Sequence, residues 1–488
     1  MRHHTHWLAG VSATVVLMAG MGLAPAFAQT PSVPAAATAF PGDGKGAYKT
    51  HQYHNLFVER LGHSEAETKA KIDAAFHQLF HGDGQEQTVY FETGANENGT
   101  LAYITDWANN DARSEGMSYG MMIAVQLDKK REFDAIWNWA NTYMLTTDPN
   151  NPSLGYFAWS MGTDGSPRAT GAAPDGEEYF VMALYFAAHR WGNGEGIYNY
   201  KAQADKILSH MRHRALMTGT PPFKIKPDGE PFVQPDHPWP SPNNRAAAAE
   251  AIKAGRTWPP QMPANMPKRE PRPVTVGPMV DEASTMIRFV PETNIDGSDA
   301  SYHLPAFYEL WSRWGPVEDR AFWAKAADVS RNFFVQVTDP KTGLAPDRSN
   351  FDGTPAKGWD GKPSQFAYDA WRVASNWSVD YSWWGKDPRQ VNLSQNIQSF
   401  LYGQGINTFA DRYSLDGQPM SERHSTGMVA ATTVASLASG QNPTSDAFLK
   451  TLWDTPVPEG EQRYFDGLVY LMSLMHISGE FRIIDKPE

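Results

Sequence analysis

Apolar residues recur at intervals of three and four positions through most of the chain, in stretches of helical length. This spacing places the apolar side chains on one face of an α-helix, where they can pack against a core. It predicts twelve helices, at residues 64–81, 113–129, 131–145, 176–191, 200–216, 301–315, 320–337, 366–377, 392–403, 425–440, 445–453 and 462–478.

Strand patterns are few, and the better candidates are residues 87–93 and 286–290. A parallel barrel of alternating strands and helices needs eight apolar strands, so that fold is disfavoured. The sequence also shows no repeat of fixed period, which disfavours a helical solenoid. The pattern therefore predicts an all-α fold, a single domain in which the helices close into a barrel and are joined by long loops.

Residues 1–28 have the features of a secretory signal peptide. Arg2 provides a positive charge, an apolar run extends over residues 7–23, and Ala26-Phe27-Ala28 forms a small-residue cleavage site. The apolar run is too short to serve well as a membrane anchor. We therefore expect an exported protein, secreted or periplasmic, that does not act on a membrane.

The rest of the chain divides by composition. Residues 29–50 are rich in Pro, Ala, Thr and Gly, and we expect a disordered leader there. Residues 51–482 are expected to form the single domain. Within it, residues 237–278 are dense in proline and are expected to form an insertion or an extended loop, with one short Ala-rich helix at residues 245–254.

Composition narrows the class of function. The formal net charge of −12 disfavours nucleic acid and anionic membranes as partners. The absence of cysteine excludes disulfides, thiolate metal ligands and a cysteine nucleophile. Core packing accounts for most of the 17 Trp, 19 Tyr and 24 Phe, but aromatic rings in a cleft also stack on the apolar faces of sugars. Carbohydrate handling is therefore one candidate function.

Residues 113–127 combine a helical apolar pattern with an acid in the first turn. Ser114 is expected to cap the N-terminus of this helix. Glu115 follows it, beside small residues such as Gly116 and Gly120 that leave room for a ligand or a partner backbone. An acid in a first turn also stabilises a helix through the dipole, so the position of Glu115 alone does not separate a catalytic from a structural role.

Acidic residues occur at two further predicted helix starts. Asp175, Glu177 and Glu178 stand at the head of the fourth predicted helix, and Asp369 lies among aromatic residues at the head of the eighth. If alternate helices of a barrel run in the same direction, the starts of the inner helices share one end, and these acids line one cleft. Hydrolysis of a glycosidic bond requires such a pair of carboxyl groups, one protonated and one ionised.

Other chemistries have weaker support in the sequence. It contains no G-x-S-x-G nucleophile elbow and no glycine-rich phosphate-binding loop. His210 and His213 are spaced for one helix face, but no third metal ligand accompanies them. We therefore expect neither a metal nor another cofactor.

The segment Arg-Ser-Glu-Gly-Met-Ser-Tyr-Gly-Met-Met at residues 113–122 resembles the signature of glycoside hydrolase family 8. The resemblance covers most of the chain, from about residue 50 to about residue 480. It implies an (α/α)6 barrel of six inner and six outer helices. It also implies an enzyme that cleaves β-1,4-linked glucans, xylans or chitosan with inversion at the anomeric carbon.

The resemblance implies roles for individual residues. Glu115 matches the general acid, and Asp369, in the segment Tyr-Asp-Ala-Trp-Arg, matches the general base. Asp175 matches a carboxylate beneath the sugar at the cleavage subsite, where it holds a ring hydroxyl. Trp159 matches an aromatic platform that stacks on a sugar on the non-reducing side.

Arg372, Tyr381 and His424 complete the implied set. Arg372 and Tyr381 match polar groups that line the cleft. Residues 173–180 and 301–308 resemble the xylan-active branch of the family. His424 resembles a histidine that blocks the far subsites in enzymes that release xylose from the reducing end of short xylo-oligosaccharides. That activity is the implied one, with an endo-acting xylanase or endoglucanase as alternatives.

Two other classes of function remain as alternatives. One is a sugar-binding protein that kept the cleft without the chemistry. The other is a polysaccharide lyase, which the acidic charge disfavours because lyases need a basic cleft for anionic sugars. An inverting mechanism requires the carboxyl groups of Glu115 and Asp369 to lie roughly 6.5–9.5 Å apart. It also requires a neutral Glu115, so burial and nearby acids must outweigh the helix dipole. The chain is expected to act as a monomer.

Overall fold

The computed structural model describes residues 46–169, 171–221, 272–358 and 361–485. Helices dominate these ranges, and no helix among them is long and apolar enough to cross a membrane. The described residues contain fourteen α-helices: α1 (Ala47–Thr50), α2 (Leu56–Leu61), α3 (Glu65–His81), α4 (Ser114–Gln126), α5 (Lys130–Trp139), α6 (Pro174–Trp191), α7 (Tyr200–His213), α8 (Pro305–Trp314), α9 (Arg320–Val337), α10 (Trp371–Trp384), α11 (Arg389–Gly403), α12 (Thr426–Thr433), α13 (Pro443–Asp454) and α14 (Phe465–Ser478).

Short strands connect several of the helices. They are β1 (Tyr90–Asn96), β2 (Gly99–Asp106), β3 (Asp111–Arg113), β4 (Ser160–Met161), β5 (Met217–Gly219), β6 (Val274–Val276), β7 (Val280–Asp281) and β8 (Met286–Ile287). The first four form an antiparallel sheet in the order β1-β2-β3-β4, in which Thr105 pairs with Ala112 and Arg113 with Ser160. The other four form two-stranded antiparallel pairs, β5 with β6 and β7 with β8.

Each of the twelve predicted helices overlaps an observed helix. The start of α3 has the predicted local chemistry, because Ser64 and Glu67 exchange hydrogen bonds in a capping box. The helices α1 and α2 are too short for a periodic pattern to indicate them. Both strand candidates are also confirmed, since they overlap β1 and β8.

The all-α prediction is right about the dominant structure and incomplete about the sheet. The strand β2 is buried from Leu101 to Asp106, and its apolar residues run continuously from Leu101 to Ile104, without the alternation of a half-exposed strand. That is the reason why the sequence pattern does not indicate β2, although this strand carries the sheet that leads into α4.

The predicted starts of α4 and α10, the helices that follow Arg113 and Asp369, differ from the observed ones. Arg113, in extended backbone at the end of β3, occupies the N-cap position of α4 and makes no side-chain cap, while Ser114 is already helical. Ser114 is buried against Gly176, so its hydroxyl does not cap the helix. The helix α10 begins at Trp371 and not at residue 366, because residues 368–370 form a 3-10 turn ahead of it.

The predicted leader, residues 29–50, is wrong for its last residues. Ala47 is buried in the core, and the ring of Tyr48 lies 4.4 Å from that of Trp384, which explains why this short segment is helical. The signal-peptide residues 1–28, residues 29–45 and the Ala-rich helix predicted at 245–254 lie outside the described residues. Of the Pro-rich segment, the described part is residues 272–278, which contains β6.

The even-numbered helices from α4 to α14 contact one another in succession. The helix α4 packs against α6 and α14, α14 against α12, α12 against α10, and α10 against α8. Between α6 and α8, the Tyr308 hydroxyl donates to Glu178 Oε1 at 2.6 Å, and the rings of Tyr179 and Phe307 lie 5.2 Å apart. These contacts bring the N-terminal ends of α4, α6 and α10 near one another.

Candidate active site

A cleft of about 1140 Å³ lies where α4, α6 and α10 begin. Glu115, Asp175 and Asp369 line it, so the structure brings together the three carboxyl groups that the sequence singled out. Aromatic side chains form much of the remaining wall, at Trp159, Phe289, Tyr302, Tyr368, Trp371, Tyr464 and Phe465.

Glu115 is the second residue of α4, and its side chain is 14% exposed. The Tyr464 hydroxyl donates to Glu115 Oε1 at 2.9 Å, and Arg372 donates to Oε2 at 3.1 Å. Gly116 makes room for Tyr464, since an added Cβ would lie 2.3 Å from the Tyr464 ring. The interpretation that Gly116 leaves room for a ligand is therefore wrong: the space is needed by the tyrosine that holds Glu115.

Asp175 is the second residue of α6, directly after Pro174, and its side chain is 6% exposed. Its Oδ1 accepts the N–H of Gly176 at 2.9 Å, and its Oδ2 accepts from Arg372 at 3.3 Å. The carboxyl group is thus fixed by its own helix start and by the same guanidinium that contacts Glu115.

Asp369 lies in the 3-10 turn that leads into α10, and its side chain is 31% exposed, the most open of the three. Arg372 contacts its Oδ1 at 3.1 Å. The residue before it, Tyr368, has a φ of +42°, which a bulky side chain adopts only when the surroundings enforce it. Such backbone strain is concentrated at functional sites, and here it directs Asp369 into the cleft.

Arg372 lies behind the three carboxyl groups and contacts all of them. It also contacts the Tyr119 hydroxyl and donates to Ser301 Oγ at 3.0 Å. The Arg372 side chain is 6% exposed and lies beneath the cleft wall, so it reaches the site through these carboxyl groups. Its position allows one positive charge to act on every acid of the site.

The acids differ in ionisation. Burial raises the pKa of Glu115 to about 8, with Asp369 and Asp175 adding to the rise and Arg372 opposing it. Burial likewise raises the pKa of Asp175 to about 7, again against the lowering effect of Arg372. Near pH 6 both groups are neutral. The arrangement thus offers a proton donor, Glu115, and a more open carboxyl group, Asp369, in contact with the same guanidinium.

Two further acids, Asp299 and Asp347, adjoin Asp369, and the sequence analysis missed both. Carboxylate oxygens of the three lie within 4.8 Å of one another. Both extra acids lie outside the α-helices, at positions where no periodic pattern marks them. The spacing would admit a cation. Burial raises the pKa of Asp299 and raises that of Asp347 to about 7.

Trp159 is placed beside Glu115 by the sheet. The pairing of Arg113 with Ser160 joins β3 to β4, and the N–H of Ser114 donates to the Trp159 carbonyl at 3.1 Å. The indole is 39% exposed on the cleft wall, and the Arg113 guanidinium lies 5.5 Å from the ring. An exposed, immobilised ring next to the proton donor is suited to stack on a sugar.

Two predicted site residues do not reach the cleft wall. Tyr381 is buried about two and a half turns beyond Arg372 on α10, so the helix carries it away from the site. His424 faces Phe409, with its Nδ1 2.7 Å from the Phe409 carbonyl and the two rings 4.5 Å apart. The neighbouring Arg423 lines the cleft instead, held by Asp411 and Asp466.

Glu177 and Glu178, the other acids at the head of α6, are fully buried outside the cleft wall. Glu177 Oε1 accepts the N–H of Phe157 at 2.9 Å, and Glu178 Oε1 accepts from Tyr308. The second oxygen of each is buried without a hydrogen-bond partner among the described residues. Burial raises the pKa of both well above 4.5, which makes them neutral structural groups of the α6 head.

Comparison with known proteins agrees with this geometry. The family model for glycosyl hydrolases family 8 matches residues 96–224 and 290–478. The reducing-end xylose-releasing exo-oligoxylanase Rex8A of Paenibacillus barcinonensis is 39% identical over 443 residues, which cover 90% of this chain and 99% of Rex8A. A reducing end xylose-releasing exo-oligoxylanase of Halalkalibacterium halodurans is 38% identical over 444 residues, which cover 90% of this chain and 96% of that protein.

A solved structure gives the same result at the level of the fold. A catalytic mutant of a xylanase from Teredinibacter turnerae, in complex with xylohexaose, superposes with a TM-score of 0.77 and 45% sequence identity. The match covers 90% of this chain and 99% of that structure. The chain described here therefore belongs to glycosyl hydrolases family 8.

Proposed function

We propose that this protein is an inverting glycosidase that hydrolyses β-1,4 bonds of xylo-oligosaccharides and releases xylose from the reducing end. The observation that carries the proposal is that Glu115 and Asp369 contact the two terminal nitrogens of one guanidinium, at 3.1 Å each. Burial raises the pKa of Glu115 to about 8, so this carboxyl group keeps its proton at neutral pH, while Asp369 is more open and pairs with Arg372.

The mechanism assigns one proton transfer to each of these two carboxyl groups. Glu115 donates its proton to the glycosidic oxygen as the bond from that oxygen to the anomeric carbon breaks. A water molecule attacks the opposite face of the anomeric carbon and gives its proton to Asp369. Because both carboxyl groups contact Arg372, the distance between them cannot exceed the length of two ion-pair contacts plus the width of the guanidinium. That span is compatible with the roughly 6.5–9.5 Å that leaves room for the water.

Asp175 and Trp159 support this reaction from the walls. The Asp175 carboxyl, fixed at the start of α6, is placed to hold a sugar hydroxyl beneath the cleavage position. Trp159 directly precedes β4 and lies next to Glu115. It offers a flat apolar surface for the neighbouring sugar ring. Xylo-oligosaccharides are the proposed substrate because Rex8A and its Halalkalibacterium halodurans counterpart are named for action on them, and the Teredinibacter turnerae xylanase was solved with xylohexaose.

Endo-action on xylan is the second candidate, and one observation favours it. The imidazole of His424, the predicted block of the far subsites, is turned to Phe409, and Arg423 takes the place on the cleft wall. Arg423 is held by Asp411 and Asp466 and could line a longer binding groove. The release of xylose from the reducing end remains the first proposal, because two relatives of matching length are named for it.

Product analysis separates the two candidates. Incubation with xylohexaose and chromatography at low conversion should give equal amounts of xylose and xylopentaose, whereas endo-action gives xylobiose, xylotriose and xylotetraose from the first time point. A xylohexaose whose reducing end has been reduced to the alditol should resist the exo-acting enzyme and remain a substrate for an endo-acting one. Hydrolysis of cello-oligosaccharides in preference to both substrates would contradict the proposed substrate class.

The control for this experiment is Glu115→Gln, which keeps the shape of the side chain and removes the transferable proton. General acid catalysis typically contributes about 10²–10⁴-fold, so turnover should fall by that order. Binding of xylohexaose, measured by calorimetry, should be largely retained. Glu97→Gln, at an exposed position on the β1–β2 turn, should behave as the wild type. Loss of binding together with turnover in Glu115→Gln would assign Glu115 a structural role.

We also propose a closed (α/α)6 barrel in which α4, α6, α8, α10, α12 and α14 are the inner helices. The succession of contacts among them, including the Tyr308–Glu178 hydrogen bond between α6 and α8, supports closure. The helices α3, α5, α7, α9, α11 and α13 would then form the outer ring. Export after cleavage behind Ala28, and a monomer without a membrane partner, remain part of the proposal. N-terminal sequencing of the exported protein and light scattering would test them.

A further inference from the structure

Glu292 lies on the cleft wall, on a segment that the backbone holds in place. It forms an antiparallel bridge with Val276, the last residue of β6. The next residue, Thr293, donates its N–H to the Thr275 carbonyl at 2.9 Å. The Glu292 carbonyl in turn accepts the N–H of Ile295 at 3.1 Å. Glu292 therefore presents its side chain to the cleft from a fixed backbone.

The Glu292 carboxyl group lies beside the segment that holds the Trp159 platform. The Gly171 carbonyl accepts the N–H of Trp159 at 3.0 Å. An added Cβ at Gly171 would lie 3.0 Å from Glu292 Oε1, so the carboxyl group is in contact with this glycine. Residues 171–173 line the cleft and lead to Asp175 at the start of α6. Glu292 is thus on the part of the cleft wall that Trp159 and Asp175 share.

The Glu292 carboxyl group makes no hydrogen bond or ion pair within the described residues. The residue is half-buried, and burial alone raises its pKa. Withdrawing a carboxyl group from water without a partner costs stability. Glu177 shows the contrasting structural case, because the N–H of Phe157 donates to its Oε1. The fold therefore gains no contact from the Glu292 carboxyl group, which leaves its oxygens available to a ligand in the cleft.

We propose that Glu292 is a substrate-binding residue that accepts hydrogen bonds from the hydroxyl groups of the sugar unit stacked on Trp159. A pyranose ring places its apolar face on the indole and directs its hydroxyl groups sideways, where a carboxylate can accept two of them. The inference rests on the proposed function, because it takes the ligand of Trp159 to be a sugar. It adds a polar contact that selects a neutral, hydroxylated ring at this position.

Binding measurements on three variants test the contact. Each is made in the Glu115→Gln background, so that xylohexaose is not consumed during calorimetry. Glu292→Ala should raise the Kd about 10- to 100-fold, the range for a lost hydrogen bond to a charged group. Glu292→Gln keeps a neutral acceptor and should raise it by less, about two- to tenfold. Asp296→Asn is the matched control, since Asp296 is an exposed acid on the same segment and does not line the cleft.

Thermal denaturation separates a binding role from a structural one. Glu292→Gln keeps the shape of the side chain and removes the half-buried charge, so its Tm should equal or exceed that of the parent. A Tm that falls together with the affinity for xylohexaose would assign Glu292 a structural role and overturn the inference. A Kd of Glu292→Ala within about twofold of that of Asp296→Asn would also overturn it, because a lost charged hydrogen bond has a larger effect.

A double-mutant cycle with Trp159→Ala tests whether both side chains bind the same sugar unit. A ring released from the indole is held less firmly against Glu292, so Glu292→Ala should cost at least about fivefold less in Kd when Trp159 is absent. Losses that simply multiply would place Glu292 on another ring and overturn the assignment.

Failure of the proposed function gives a different result. A parent protein that does not bind xylohexaose would contradict the proposed substrate class, whatever the Glu292 variants do. The same variants measured with cellohexaose then test the inference, because glucose units offer the same ring hydroxyl groups to a carboxylate. Equal affinity of Glu292→Ala and Asp296→Asn for cellohexaose would overturn it.

Discussion

At the scale of single residues, the site depends on how one guanidinium is shared. Arg372 contacts Glu115, Asp175 and Asp369, and its charge cannot keep all three ionised. The rise of the Glu115 pKa from 4.5 to about 8 corresponds to about 5 kcal/mol in favour of the neutral form. The N-terminus of α4 favours the ionised form by only ~0.3–1 kcal/mol. Burial therefore decides the protonation of Glu115, and the helix dipole is a smaller opposing effect.

The pKa of Glu115 leads to a prediction for the pH profile. Because Glu115 must be protonated to act as the acid, kcat/KM should be constant on the alkaline side up to about pH 7 and then fall through a midpoint near pH 8. Above the midpoint, kcat/KM should fall by nearly tenfold per pH unit. Initial rates with xylohexaose from pH 4 to 10 measure this, with circular dichroism at each pH to exclude unfolding. A midpoint near pH 4.5 would show that Glu115 is ionised in the working enzyme.

Single residues differ in how far the sequence indicates them. Glu115, Asp175 and Asp369 stand at or just before helix starts, so periodicity and the family signature both locate them. Asp299 and Asp347 lie in loops, and backbone contacts between distant segments, such as the pairing of Ser298 with Ser349, bring them to Asp369. Tyr381 and Arg372 share a helix, but spacing along a helix does not reveal which residue faces the cleft until the direction of its axis is known.

At the scale of elements, the close approach of two helix starts sets the relative position of two acids. An added Cβ at Gly176 would lie 2.5 Å from Ser114 Oγ and 2.6 Å from Ser114 Cβ. These atoms belong to the first turns of α4 and α6, the turns that carry Glu115 and Asp175. The small residue is thus required for helix packing, and the packing in turn lets both acids reach Arg372.

Gly176→Ala should therefore impair the site as well as the core. Overpacking of this kind costs about 1–3 kcal/mol, and the first turns of α4 and α6 should move apart. We expect a lower melting temperature and a kcat reduced by about tenfold or more, as Glu115 and Asp175 shift relative to Arg372. Gly403→Ala is the control, because a Cβ there meets no atom within 4 Å and alanine favours the helix. Unchanged kinetics in Gly176→Ala would show that the two helix starts move independently of the reaction.

The head of α6 also predicts how stability depends on pH. Burial raises the folded-state pKa of Glu178 well above its unfolded value of about 4.5. The stability that the protonated Glu178 contributes is fully present below its pKa in the unfolded state. It is lost as the pH rises toward its pKa in the folded state. Between these values, each such group lowers the free energy of unfolding by about 1.4 kcal/mol per pH unit.

Glu178→Gln keeps an acceptor for the Tyr308 hydroxyl and cannot ionise. Its stability relative to the wild type should therefore increase steadily from pH 5 to pH 8, whatever the difference is at pH 5. Denaturant unfolding at several pH values measures this slope. Glu195→Gln, at an exposed loop position, should show a constant difference from the wild type. Parallel curves for Glu178→Gln and the wild type would show that Glu178 is ionised in the folded state.

The sequence predicts those helices and strands that have one apolar face. It does not predict elements that lack such a face. The long helices have such a face, and all twelve predictions fall on them. The strand β2 is buried on both faces and resembles any apolar run. The start of α10 is displaced by the strained turn at residues 368–370, whose conformation depends on neighbouring loops and not on local preference.

At the scale of the whole molecule, the catalytic arrangement is a property of elements that are distant in sequence. Glu115, Asp175 and Asp369 come from three helix starts, and Tyr464, which holds Glu115, precedes a fourth, α14. Sequence patterns predict each helix separately, and the family resemblance predicts the barrel. The contacts through Arg372, and the sheet that places Trp159, depend on the complete fold.

This arrangement predicts the stereochemistry of the product. In the proposed mechanism Glu115 and Asp369, which both contact Arg372, act on opposite faces of the anomeric carbon, so the attack of water should invert it. Cleavage of a β-1,4 bond should then yield the shortened xylo-oligosaccharide as its α-anomer. Proton NMR within the first minutes, before mutarotation, measures this at the anomeric signals. The released xylose keeps the anomers of the original reducing end and serves as the internal reference. A β-anomer formed first on the shortened chain would mean that a carboxylate attacks the anomeric carbon directly, which contradicts the proposed water attack.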